Sequence, residues 1–209
     1  MFIELTDHLR CPVEHDEAFL VLLPDLIDGR SVRSGILGCP VCDRRFPIRD
    51  GVFDTGDAPP PGAAGALVEG PGPGLPPAPS RLTPDAVAAL AGLNGPGGYL
   101  VLVGSPAAGW REIAELIPGV GLVAVNPPEG VADQLGLSVL RSGRLPIKTH
   151  SMRGVVLGSP YGAHTAWVRE GTRVLLPGLR MVGEGTNPPD DTVDLMASAD
   201  GVWVGTPRR

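Results

Sequence analysis

The side chains best suited to chemistry in this chain are three thiols, and they fall in one pattern: Cys11-Pro12 early, then Cys39-Pro40-Val41-Cys42. Two Cys-Pro knuckles brought together by an intervening excursion present soft thiolates to one tetrahedral ion, and Zn²⁺ is the ion that such closed sets usually hold. The first knuckle has Glu14 where a second cysteine would complete a Cys-Pro-x-Cys, and His15 follows it. His15 is the preferred fourth ligand, because imidazole suits a thiolate-rich structural site better than carboxylate and a knuckle can absorb one extra residue. Glu14 and His8 remain alternatives. Four neighbouring ligands leave no open position, so the expected site is structural rather than catalytic. The competing reading, a free Cys11 beside a Cys39/Cys42 redox pair, asks for a Cys-x-x-Cys that opens a helix after a strand; this one lies in a ribbon pattern. No catalytic dyad is visible elsewhere, and His150 and His164 read as surface or packing residues.

The elements that must position this site form two unequal parts. A chain of 209 residues with 43% hydrophobic side chains and a mean hydropathy of +0.13 can bury one ordinary core and a small module beside it. Its formal charge of −6 provides no global basic field for nucleic-acid phosphates, and the Arg44-Arg45 and Arg208-Arg209 pairs are too small to make a local one. No apolar run approaches the ~20 residues that span a bilayer, and the start Met1-Phe2-Ile3-Glu4 lacks the regions of a signal peptide, so the expected home is the cytoplasm, where thiols stay reduced. Between Gly56 and Ser80, Ala58-Pro59-Pro60-Pro61-Gly62 and Gly70-Pro71-Gly72-Pro73-Gly74 predict a linker rather than helix or ladder. The division is therefore a module over residues 1–55, a linker over 56–80 and a larger part over 81–209.

That larger part alternates strands and helices. Thr83-Pro84-Asp85 starts a helix and Asn94-Gly95 is expected to close it. Apolar runs of strand length follow at Tyr99–Val103, Leu122–Val125, Leu137–Leu140, Gly154–Leu157 and Leu179–Val182, apolar on both faces as a helix-covered parallel sheet requires. Helices are expected over Trp110–Ile117 and His164–Leu175. The fold class is α/β, a doubly wound and mostly parallel sheet preceded by a small β module. At the tail, Asp190–Ser198 reads as a short helix before a strand at Val202–Val204, with Asp200-Gly201 turning a hairpin as the alternative.

Residues 2–53 resemble the small zinc-ribbon proteins that activate tRNA, rRNA and release-factor methyltransferases, on Leu9, Cys11-Pro12, Cys39, Cys42 and above all Phe46-Pro47-Ile48-Arg49-Asp50-Gly51, which copies that family's aromatic-Pro-Ile-x-Asp-Gly tail. The resemblance implies docking onto a methyltransferase domain, here the chain's own sheet, a partner protein or a second copy. Residues from Leu82 onward are similar to class I S-adenosylmethionine-dependent methyltransferases through Leu145-Pro146-Ile147, the strand at Gly154–Leu157, and Arg173-Val174-Leu175-Leu176-Pro177-Gly178.

The cofactor half departs from that second family. Its Gly-x-Gly-x-Gly turn is here Gly104-Ser105-Pro106-Ala107-Ala108, where Pro106 removes an amide and fixes φ. The acidic residue that would accept both ribose hydroxyls is Asn126, and Arg141-Ser142-Gly143 stands where an Asp would lie near the adenine. One lost charge-assisted hydrogen bond is worth about 1.5–3 kcal/mol, so Gly104, Ser105 and Asn126 are the cofactor candidates, and S-adenosylmethionine is expected to bind poorly. A dinucleotide reading lacks Gly-x-Gly-x-x-Gly, and a phosphate-loop reading of Gly104–Gly109 meets Trp110 where lysine is needed. The expectation is a methyltransferase-like scaffold that works through protein binding. The alternatives are an active methyltransferase whose ribbon activates it in cis and a pocket for another nucleotide-like ligand.

Overall fold

Strands fully apolar on both faces have to be covered on both, and that requirement organises the molecule. A computed structural model describes residues 1–57 and 80–208. The expected linker falls, from 58 to 79, outside the described residues. The strands are β1 (Val21–Asp28), β2 (Ser31–Gly38), β3 (Arg45–Arg49), β4 (Val52–Asp54), β5 (Tyr99–Val103), β6 (Gly121–Val125), β7 (Leu137–Arg141), β8 (Gly154–Leu157), β9 (Met181–Glu184), β10 (Val193–Ala199) and β11 (Val202–Pro207). They form one sheet of 11 strands in the order β1-β2-β3-β4-β7-β6-β5-β8-β9-β11-β10.

Side chains alternate across this sheet. Val101, Val103, Val123, Val125, Val155 and Leu157 enter one core, while Leu100, Leu102, Leu122, Ala124 and Val156 enter the other. Helices α1 (Pro84–Ala91) and α2 (Trp110–Leu116) cover the second face through Val87, Trp110 and Ile113, and α3 (Thr165–Val174) covers part of the first through Trp167 and Val168. The connections β6–β7 and β7–β8 contain no helix. The chain's own beginning covers the first face there: a 3₁₀ turn at Ile3–His8 places Met1, Leu5 and Leu9, all fully buried, in one cluster with Val123, Leu140 and Ile147. Arg10 N–H bonds to the Pro146 carbonyl (3.1 Å) and Lys148 N–H to the His8 carbonyl (2.8 Å), so the Leu145-Pro146-Ile147 stretch receives the N-terminal segment.

The sheet is mixed, which corrects the mostly parallel, doubly wound expectation. Ladders are parallel from β4 through β7, β6, β5 and β8 to β9, and antiparallel at both flanks. Short turns explain the flanks. Asp50-Gly51 and Asp200-Gly201 each place both central residues at positive φ (51° and 79°; 52° and 73°), the geometry of tight hairpins. The second of these makes β10–β11 a hairpin, so the helix expected over Asp190–Ser198 is not formed. Two boundaries also move. Helix α1 stops at Ala91 with left-handed Gly92 as its cap, before Asn94-Gly95, and β9 begins two residues later than the apolar run suggested. The Thr83 hydroxyl accepts the Ala86 N–H (3.2 Å), as its capping role requires.

The N-terminal strands and the later strands of the sheet meet at β4 and β7, parallel, with Phe53 beside Leu140 and Asp54 beside Arg141. The Thr55 N–H continues the ladder to the Arg141 carbonyl (3.0 Å). Gly51, in the β3–β4 turn, has a second function: a Cβ there would lie 2.2 Å from the Asp133 carboxylate. Asp133 is buried and takes the Met1 ammonium at 2.6 Å and the Arg33 guanidinium at 3.4 Å. Burial pushes the Asp133 carboxyl up and the Met1 ammonium down from their ordinary values, so the pair forms against its own desolvation. Asp133→Asn is expected to cost about 1–3 kcal/mol, because the amide keeps one acceptor for the ammonium but turns a donor toward the Arg33 guanidinium. Urea denaturation with an unchanged m-value checks this; a midpoint equal to the parent's contradicts it.

Candidate metal centre and the strand-end turn

The first knuckle is a closed loop. Cys11 N–H bonds to the Ala18 carbonyl (2.9 Å), and His15 stands at the far side of that loop. The second lies between β2 and β3, where the Asp43 N–H returns to the Cys39 carbonyl (3.1 Å) and the Cys39 N–H to the Arg44 carbonyl (2.9 Å). Together they bring one ligand atom each of Cys11, His15, Cys39 and Cys42 within 4.8 Å of one another. Cys11 and Cys39 are buried, the other two partly so.

The spacings fit a tetrahedral ion. Cys11 Sγ and Cys42 Sγ are 3.7 Å apart and Cys39 Sγ and His15 Nε2 are 3.5 Å apart. With Zn–S at about 2.3 Å and Zn–N at about 2.0–2.1 Å, tetrahedral angles give edges of about 3.8 Å and about 3.5 Å. His15 Nδ1 lies 2.6 Å from the Asp16 carbonyl, an arrangement in which Nδ1–H donates and Nε2 keeps its lone pair for a metal. The thiols differ in their surroundings. Burial pushes Cys11 up to about 12. At Cys39 burial acts upward too, but the N–H groups of Cys42 and Val41 and the neighbouring thiols draw it down to about 7. Glu14 points to solvent outside the cluster, and His8 packs edge-on against Tyr99 with ring centroids 5.2 Å apart.

The other sequence-selected residues lie at the carboxyl ends of β5 and β6. Gly104 (φ 73°) makes the turn after β5, and a Cβ there would meet the Tyr161 ring at 2.8 Å. Pro106 is buried against Gly158, whose hypothetical Cβ would sit 2.4 Å from the Pro106 ring and 2.5 Å from Ser105 Oγ. Ser105 Oγ is buried there without a hydrogen-bond partner among the described residues. Asn126 uses its amide on the β7 end: Nδ2 donates to the Ser142 carbonyl (2.8 Å) and Oδ1 accepts the Ser142 N–H (2.9 Å). The described cavities, of about 310 and 720 Å³, are lined by neither Gly104 nor Asn126. His150 and His164 are exposed.

Three residues of this region were not singled out from the sequence as site residues. Tyr161 is fully buried, edge-on to Trp167 at 4.7 Å, and desolvation pushes its phenol up to about 12. Glu184 is a buried carboxylate that accepts from Ser80 Oγ, from the N–H groups of Arg81 and Leu82, and from the Ser159 N–H, tying the chain at residues 80–82 to the end of β8. Ser142 is recognisable only once its partner Asn126 is in place. The available hint was an acid at the end of an apolar run, Met181-Val182-Gly183-Glu184.

No protein-family model and no curated protein matches the chain. Solved structures align with parts of it. They include geranyl diphosphate methyltransferase in complex with GPP and sinefungin, at 17% identity, covering 48% of this chain and 42% of that one, with a TM-score of 0.40. The complex between the Haloferax volcanii Trm112 methyltransferase activator and a candidate methyltransferase matches at 22% identity, 47% and 49% coverage and a TM-score of 0.40. A candidate S-adenosyl-L-methionine-dependent methyltransferase of Methanococcus maripaludis matches at 11% identity, 60% and 84% coverage and a TM-score of 0.44. The chain spans half or less of the length of the first two. Among the described residues no helix is long and apolar enough to cross a membrane.

Proposed function

We propose that this chain is a methyltransferase-like α/β protein that carries a structural zinc ribbon on its own sheet and acts by binding another protein, without methyl transfer. Residues 1–55 form the ribbon, 56–80 the linker and 81–209 the α/β part, in the cytoplasm. Cys11, His15, Cys39 and Cys42 hold the zinc, whose role is to close the two knuckles. The observation that carries the non-catalytic reading is the filled strand end. Ligands of open α/β sheets bind outside the carboxyl ends of the strands. Here Pro106 and Tyr161 occupy that space and Asn126 is committed to Ser142. These residues do not fit the amino-acid and ribose ends of S-adenosylmethionine.

Protein binding is supported by edge strand β1. Leu23 and Leu26 are 56% and 58% exposed beside Val21 and Ile27 on the outermost strand, and Phe19, 57% exposed, lies just before it. Pro24 and the register shifts at Pro24–Leu26 and Leu26–Ile27 break the edge for plain strand addition, so the side-chain row is what a partner meets. The second reading, an active methyltransferase with its ribbon acting in cis, is favoured by the parallel β4–β7 pairing, which sets the ribbon directly on the α/β strands.

Calorimetric titration with S-adenosylmethionine separates the two. No saturable heat is expected up to about 1 mM, and a dissociation constant below about 100 μM would establish the active-enzyme reading instead. Asn126→Asp is expected to destabilise the chain by about 1–3 kcal/mol, because it sets a carboxylate against the Ser142 carbonyl and removes the donor that bonded it. Cofactor binding gained by Pro106→Gly with Asn126→Asp would identify the filled turn as the cause of inertness.

A further inference from the structure

We infer that the crevice between the first metal knuckle and the ends of β4 and β7 binds a small aliphatic zwitterion of the α-amino-acid class. The cavity measures about 310 Å³, the lower end of the range that small-molecule sites occupy. Four charged side chains line it from separate parts of the fold. Arg44 follows the second knuckle, Glu14 belongs to the first, Asp57 follows β4 and Arg144 follows β7. None of the four forms an ion pair or a side-chain hydrogen bond with any described residue, whereas most of the guanidinium groups elsewhere on the ribbon and α3, such as Arg10, Arg30, Arg33 and Arg173, are engaged.

The balance of charge decides the ligand class. A simple anion would be drawn by Arg44 and Arg144 but opposed by Glu14 and Asp57; a simple cation would meet the reverse. A molecule with an oxyanion at one end and an ammonium at the other satisfies both pairs, and charge-assisted hydrogen bonds from guanidinium to carboxylate are the strong ones. The apolar wall of Pro12, Val13 and buried Phe46 accommodates a short aliphatic body. The crevice is also braced. Asn126 fixes both backbone groups of Ser142, and the Thr55 hydroxyl donates to Ser142 Oγ (3.0 Å), so the segment that presents Arg144 is anchored to the floor. Asn126 thus acquires a purpose: it holds the wall of a neighbouring site.

The test is an amide-resolved NMR titration of the zinc-loaded full chain with L-leucine, with L-leucinamide (ammonium only) and 4-methylpentanoate (carboxylate only) as separate arms. Leucine is expected to move the amides of Glu14, Arg44, Thr55 and Arg144 saturably with a dissociation constant of about 1 mM or tighter, and each half-charged analogue to bind at least about tenfold more weakly. Arg144→Gln, at an exposed position outside both knuckles, is expected to weaken leucine at least about tenfold with the rest of the spectrum unchanged, and Arg44→Gln serves as the second variant. Absence of saturation at about 10 mM leucine, an analogue binding as well as leucine, or full affinity in both variants overturns the assignment.

Discussion

Cys39→Ala is expected to leave purification with under half an equivalent of zinc and to melt about 10 °C or more below the parent chain. Structural zinc contributes its binding free energy to folding, about 10–16 kcal/mol in isolated zinc-finger peptides, and a chain of this length shifts in melting temperature by about 2–4 °C for each kcal/mol lost. The ribbon's first knuckle is held to the second by ligand atoms 3.5 and 3.7 Å apart, and losing one leaves two buried or half-buried thiols and an imidazole around an incomplete set. The effect should propagate, because Cys11 and Cys39 belong to the same core cluster as Leu5, Leu9 and Phe53. His15→Ala is expected to behave like Cys39→Ala, while Glu14→Ala and His8→Ala retain a full equivalent. Elemental analysis of protein purified without chelators decides it, and full zinc retention in Cys39→Ala would sink the assignment.

That set was legible before any coordinates because ligand chemistry is local. Cysteines with two residues between them, a proline fixing each knuckle and a histidine near the first specify donors by type and spacing. The apolar strands were legible for a similar reason, since burial on both faces leaves uninterrupted runs. What failed to show was every feature that depends on a distant partner. Asn126 reads as a defective ribose ligand until Ser142 is placed beside it. Asp133 has no visible role until Gly51 makes room for it and the Met1 ammonium is placed beside it. The β10–β11 hairpin stood only as the alternative to a helix, because the pattern of Asp190–Ser198 is compatible with one, and the two consecutive positive φ angles at Asp200-Gly201 impose the reversal. Strand β4 spans only Val52–Asp54, too short for a periodic signal, although it joins the two parts of the sheet.

Because so short a strand makes the join, Phe53→Ala is expected to cost about 3–5 kcal/mol, lowering the melting temperature by about 6–20 °C. Phe53 is fully buried, pairs with Ile48 across the β3–β4 hairpin and with Leu140 across the parallel ladder, and meets Phe46 edge-on at 6.1 Å. Truncation therefore removes a large apolar side chain, an aromatic contact and the filling of the seam at one point, and the backbone ladder around it offers little room to collapse. Leu23→Ala on exposed β1 is the control, expected to stay within about 0.5 kcal/mol. The urea m-value carries a second result. An unchanged m with a lowered midpoint means that ribbon and α/β strands still unfold together; a smaller m means that the ribbon now leaves first. A protease site engineered between Gly70 and Gly74 sharpens the comparison. In the parent chain the cleaved halves should co-elute on gel filtration without denaturant, and in Phe53→Ala they should separate. Clean separation of the parent halves would show that β4–β7 pairing contributes too little to hold the ribbon in place, and would transfer the ribbon's docking to another molecule.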